Sequence, residues 1–125
     1  MMTELNSTSS TSSTSSKSSN WQTLCQKDDL VKYSGVCALL NDEQQVAIFL
    51  IDDDNALTIS NWDPAGKANV LYRGLIGDDN GEVFVASPLY KERFSLTSGR
   101  CLDDDSLSVT TYQTRIEQGQ VQVRV

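Results

Sequence analysis

The sequence predicts an all-β protein, a small antiparallel β-sandwich or barrel. Three observations carry that prediction. From Trp21 onward the apolar residues recur with a period of two and not of 3.6. Turn signals rich in Asp, Asn, Gly and Ser separate the apolar runs at short, regular intervals. No stretch shows the long amphipathic stripe of a helix. Together these call for many short strands, each with one wet and one buried face.

The elements follow in order. Residues 27–33 hold room for one helical turn, with Asp28 near its start. Apolar runs at 36–40 and 46–51 are joined by a polar turn over 41–45. The run Asp52-Asp53-Asp54-Asn55 turns the chain into a strand over 56–60. Strands over 71–76 and 82–86 flank Asp78-Asp79-Asn80-Gly81, whose Asn-Gly pair suits a tight hairpin turn. Residues 93–96 meet 100–102 across Thr97-Ser98-Gly99. Tyr112, Thr114 and Ile116 alternate with Gln113, Arg115 and Glu117, Gln118-Gly119 turns the chain, and Val121, Val123 and Val125 complete a hairpin. Ahead of these strands, 12 of the 13 residues at 7–19 carry hydroxyls, so residues 1–20 are expected to form a disordered tail and 21–125 the folded domain.

Length and charge narrow the function. At 125 residues the chain fits one domain with an apolar core of its own. Seventeen acidic against ten basic residues give a charge of −7, which argues against nucleic acid or an anionic membrane as partner. The tail charges Glu4 and Lys17 cancel, so the whole −7 belongs to the strand-forming part. The chain has no histidine, which removes Ser-His-Asp and Cys-His nucleophile pairs and all imidazole metal sites. Proton transfer near neutral pH would rest on a perturbed carboxylate, cysteine, lysine or tyrosine. Cys25, Cys37 and Cys101 form an odd set without a Cys-x-x-Cys pair and read as small buried residues of a reducing compartment. With no apolar run of about 18 residues and no signal-peptide core, the expected location is cytoplasmic.

The aspartate runs offer a metal reading and fail its pattern. Asp52 to Asp54 imitates half of a calcium loop, but the sixth position, where such a loop needs glycine, is Leu57. Asp103-Asp104-Asp105 has no matching pattern either, and both runs read as solvated turns. Two loops say more. Asn61-Trp62-Asp63-Pro64-Ala65-Gly66 follows one strand, and Ser87-Pro88-Leu89-Tyr90-Lys91 follows another before Arg93-Phe94 and Ser98-Gly99.

That arrangement resembles the Rieske iron–sulfur domain, which carries Cys-Pro-His in its first loop and Cys-Pro-x-His in its second. Here both prolines remain, while the four ligand positions are Asp63, Ala65, Ser87 and Tyr90. A Rieske cluster needs two thiolates and two imidazoles, so the resemblance implies the fold without its cluster. Gly35-Val36-Cys37-Ala38-Leu39-Leu40, Ile59-Ser60-Asn61, Arg73-Gly74-Leu75-Ile76 and Val85-Ala86-Ser87-Pro88-Leu89 narrow it further. In their order and spacing they resemble the small subunit of bacterial cytoplasmic NAD(P)H-dependent nitrite reductase, over residues 21–125.

The resemblance implies an accessory subunit of an enzyme reducing nitrite to ammonia in nitrate and nitrite assimilation, with the large subunit as partner. FAD, sirohaem, an iron–sulfur cluster and NAD(P)H are expected on that large subunit, and none on this chain, which is expected to be non-catalytic by itself. By analogy with the docking end of Rieske proteins, Trp62, Lys67, Tyr90, Lys91 and Arg93 are the candidate partner contacts. The alternative placement has Trp62 capping the sandwich and Tyr90 filling the space of a cluster. Phe94 is expected in the core, and Asp63 as a carboxylate bonded to nearby amides. Rival readings are a free-standing interaction module, an electron-carrying Rieske ferredoxin, and a small hydrolase or ligand-binding barrel.

Overall fold

The computed structural model describes residues 20–125; the expected disordered tail lies, apart from Asn20, outside the described residues. Strands β1 (Trp21–Gln26), β12 (Gln120–Arg124) and β11 (Thr114–Glu117) form one antiparallel sheet in the order β1-β12-β11. A four-stranded sheet has the order β10-β4-β3-β2, from Thr111–Tyr112, Asn55–Ser60, Gln45–Asp52 and Gly35–Leu39. A third sheet joins β7 (Leu75–Asp79), β8 (Glu82–Ala86) and β9 (Arg93–Ser95), and the short strands β5 (Trp62–Asp63) and β6 (Ala68–Asn69) pair with each other.

The four-stranded sheet is the middle layer, and strand β3 shows why. Ala47 and Phe49 pack with Leu71, Val85, Phe94 and Leu96 on the side of the β7-β8-β9 sheet. Ile48 and Leu50 turn the other way, onto Val121 and Leu30. Val46 joins Leu40 and Val123 on that second side. All five residues from Val46 to Leu50 are buried, so a strand covered on both faces reads as an unbroken apolar run.

The hairpin turns have the conformations their sequences suggest. Asn80 and Gly81 both take positive φ, 54° and 90°, between the paired Asp79 and Glu82. Gln118 and Gly119 do the same, at 53° and 78°, between Glu117 and Gln120. These are the two-residue turns whose twist matches that of antiparallel strands. Lys27–Asp29 forms a single 3-10 turn in which the Asp29 carboxylate accepts the Gln26 amide at 3.0 Å.

Two expectations about the strands need correction. Residues 71–76 are not one strand: Leu71–Arg73 is a 3-10 turn, and β7 begins at Leu75. Leu71 is pulled into the core, while the Asn61 carbonyl accepts the Leu71 amide at 3.2 Å and the Asn61 side chain the Tyr72 amide at 2.8 Å. The alternation over 112–116 is likewise shared by two strands. Thr111 and Tyr112 pair with Ile59 and Thr58 of β4, whereas Thr114 to Glu117 pair with β12. The chain changes sheets at Gln113, whose carbonyl accepts the Arg124 amide at 2.9 Å.

Candidate functional site: a pair of matched loops

Two loops leave the sheets with the same plan. The first runs from Asp63 to Lys67 and the second from Ser87 to Lys91, each with proline in its second position. In the first, the Lys67 amide donates to the Asp63 carbonyl at 2.6 Å; in the second, the Lys91 amide donates to the Ser87 carbonyl at 3.0 Å. The leading side chain of each loop also turns inward onto its own backbone. Asp63 Oδ1 accepts the Ala65 amide at 2.9 Å, and Ser87 Oγ accepts the Leu89 amide at 3.1 Å. Each loop closes on a lysine with positive φ, 56° at Lys67 and 67° at Lys91. A side chain in that left-handed region costs about 1–2 kcal/mol.

The loops are joined where they begin. Ser87 Oγ donates a hydrogen bond to Asp63 Oδ2, and both side chains are buried. Asp63 therefore has one oxygen on its own loop and the other on its neighbour, so no buried lone charge is left without donors. Gly66 keeps the interface tight: a Cβ there would lie 2.5 Å from Leu89 Cδ1 and 2.9 Å from Asp63 Oδ2. A larger residue there would displace the Leu89 side chain and crowd the Asp63 carboxylate.

Asn61 anchors the first loop and was not singled out in the sequence. It is fully buried, donating to Gln45 Oε1 at 3.2 Å and to the Asn69 carbonyl at 3.1 Å while accepting the Tyr72 amide. One side chain thus fixes β3, β6 and the 3-10 turn around the loop. Its available signal was a polar residue ending an apolar strand, which by itself cannot be told from an ordinary turn residue.

The structure separates the five predicted contact residues. Trp62 is 45 % exposed and Tyr90 67 % exposed, so Tyr90 does not fill an interior space between the loops. Lys67 and Lys91 are exposed as well. Arg93 is different. It makes both ion pairs found among the described residues, to Asp103 at 2.8 Å and Asp79 at 3.3 Å, and its guanidinium lies 5.3 Å from the centre of the Phe84 ring. The Arg93 guanidinium holds the Asp103 carboxyl below its ordinary range, first through side-chain hydrogen bonding. Phe94 is buried in the core beneath.

Paired loops, each led by a position where a cluster ligand would stand, above a three-layer β body define a Rieske-like domain. Residues 20–124 match the family model described as the Rieske-like [2Fe-2S] domain. Within that class the chain belongs to the family of nitrite reductase (NADH) small subunits. It is 49 % identical over 107 residues to the protein of that name from Escherichia coli K12, covering 85 % of this chain and 98 % of that one. The NMR structure of the E. coli protein NirD superposes with a TM-score of 0.75 at 46 % identity, over 84 % of this chain and 96 % of that one. A nitrite reductase [NAD(P)H] large subunit from Klebsiella oxytoca is 40 % identical over 103 residues, which are 82 % of this chain and 11 % of that protein. The fold extends to the ferredoxin of carbazole 1,9a-dioxygenase from Nocardioides aromaticivorans, with a TM-score of 0.73 at 19 % identity over 85 % of this chain and 98 % of that one.

The donor set does not fit a [2Fe–2S] cluster. Asp63 and Ser87 offer hard oxygens already bonded to each other, Ala65 offers a methyl group, and the Tyr90 side chain is turned to solvent. Iron–sulfur clusters of this type take thiolates and imidazoles. The cysteines stand elsewhere, and the expectation that all three are buried holds for Cys101 alone, in the core beside Phe94. Cys25 on β1 is half-buried and Cys37 on β2 is exposed, because each lies on a strand face that no other layer fully covers. Among the described residues, no three His, Cys, Asp or Glu side chains are grouped to hold a metal ion. Also among the described residues, no helix is long and apolar enough to cross a membrane.

Proposed function

We propose that this chain is the accessory small subunit of an NAD(P)H-dependent nitrite reductase, acting in the cytoplasm in nitrite reduction to ammonia. It carries no cluster and works by binding a large subunit that holds the flavin, sirohaem, iron–sulfur and nicotinamide chemistry. The observation that carries this reading is the hydrogen bond from Ser87 to Asp63. It ties together the two positions at which a redox-active Rieske domain would hold iron through sulfur, so the loops keep their form with no metal and serve as a surface. The K. oxytoca relative adds support, because there the matching region is a small part of one much longer polypeptide.

The contact surface in this reading is built from Trp62, Lys67, Tyr90 and Lys91. Tryptophan and tyrosine are the types that dominate interface energies, and both are exposed here, Trp62 on β5 at the entry to the first loop and Tyr90 within the second. Arg93 positions the surface by fixing the exit of the second loop, since its charge is balanced within the chain. Trp62→Ala and Tyr90→Ala, made separately, are expected to weaken binding to the large subunit by tenfold or more, on the order of hot-spot losses. Unchanged affinity in both folded variants would overturn the loop assignment. Iron and acid-labile sulfide at stoichiometric levels in the purified chain would overturn the cluster-free reading.

A further inference from the structure

One cleft beside the second loop remains without a role. A cavity of about 450 Å³ around Gln22, Gln44 and Tyr112 is satisfied from within. Gln22 bonds to the Leu39 carbonyl and the Asn41 amide, and the Tyr112 hydroxyl donates to Gln44. The cleft of about 320 Å³ lined by Arg73, Leu75, Ala86, Ser87, Pro88 and Lys91 is not. Leu75 opens the edge strand β7 and is 78 % exposed, the most open of the large apolar side chains among the described residues. An apolar residue so placed on a sheet edge invites a partner.

Its charges point the same way. Arg73 and Lys91 both line the cleft, and no carboxylate does. The Arg73 guanidinium is held by Tyr72, donating from Nε to the hydroxyl at 2.8 Å and lying 5.4 Å from the ring centre. That contact orients the cation without neutralising it. Gly74 holds the next residue close against β8, because a Cβ there would collide with the Ala86 carbonyl oxygen. Lys91 is presented by its left-handed backbone. On a chain of net charge −7, two cations without an ion pair among the described residues, flanking an apolar floor, form a local exception.

We propose that this cleft receives a carboxylate-bearing apolar segment of the large subunit, with Leu75 and Pro88 packing against its apolar side chains and Arg73 and Lys91 against its carboxylates. The inference rests on the accessory-subunit reading and adds to it the place and chemistry of the contact. Opposite charges arranged in this way set the association rate and its salt dependence. The test measures association and dissociation of the whole chain with its large subunit across a salt series. Arg73→Glu/Lys91→Glu is expected to slow association about tenfold at low salt and flatten the salt dependence. Leu75→Ser is expected to speed dissociation about tenfold and leave the salt dependence as in the parent. Lys32→Glu/Arg124→Glu makes the same change in net charge at exposed positions elsewhere and is expected to stay within about twofold. If the parent chain does not bind the large subunit, the accessory-subunit reading fails. If it binds, and the cleft variants behave as the parent or the distant pair loses as much, the cleft assignment alone is overturned.

Discussion

The three-layer body and the loop pair differ in what fills their interiors. The body is closed by aliphatic and aromatic side chains, with Val46 to Leu50 alternating between two apolar cores. The loop pair is closed by polar groups, Asp63, Ser87 and, at its base, Asn61. Apolar packing is tolerant of direction and strong in sum, whereas hydrogen bonds between loops fix orientation and are modest in net energy. The body therefore supplies stability, and the loops supply a defined shape at a place where related folds use metal.

The contrast is broken most severely by Phe49→Ala. Phe49 is fully buried at the centre of the first core, and its loss is expected to destabilise the chain by about 3–5 kcal/mol in urea unfolding. The loops give a smaller effect with a different signature. Ser87→Ala strands one buried Asp63 oxygen and is expected to lower stability by about 1–3 kcal/mol. A double-mutant cycle with Asp63→Ala should show coupling of about 0.5–3 kcal/mol, and zero coupling would mean that the loops are not latched by this pair. The smallest effect lies on the rim. Asp103 has its pKa lowered by Arg93, so its contribution is present above the ordinary value near 3.8 and is lost as pH falls through and below it. Asp103→Asn should melt slightly below the parent at pH 7, and the gap should narrow as pH falls below the ordinary value; for an exposed pair this amounts to a few degrees at most.

The sequence showed the body far more plainly than the loops, and the reason is periodic. Alternation and turn chemistry are repeated signals, so the 118–119 and 80–81 turns and the strands beside them were legible. The 3-10 turn at Leu71–Arg73 was not, because its cause is the side chain of Asn61, distant in sequence. The switch between sheets at Gln113 leaves the alternation intact and so gave no signal. In the loops, the prolines and the altered ligand positions were readable. That Asp63 and Ser87 bond to each other was not, since a contact between loops 24 residues apart has no local pattern. Nor did Arg93, placed among the contact residues, reveal its two aspartate partners.

The Asn20 carbonyl accepts the Val125 amide at 2.7 Å, so positions 20 and 125 lie side by side. Any polypeptide attached ahead of the one or after the other departs from a single corner. A domain with neighbouring ends joins a longer chain by either connection without rerouting a strand. Covalent joining through a short flexible linker turns an encounter between molecules into one at millimolar effective concentration. A chain that stays separate must instead find its partner by diffusion, and in the reading proposed above the charges around its loops set the rate of capture.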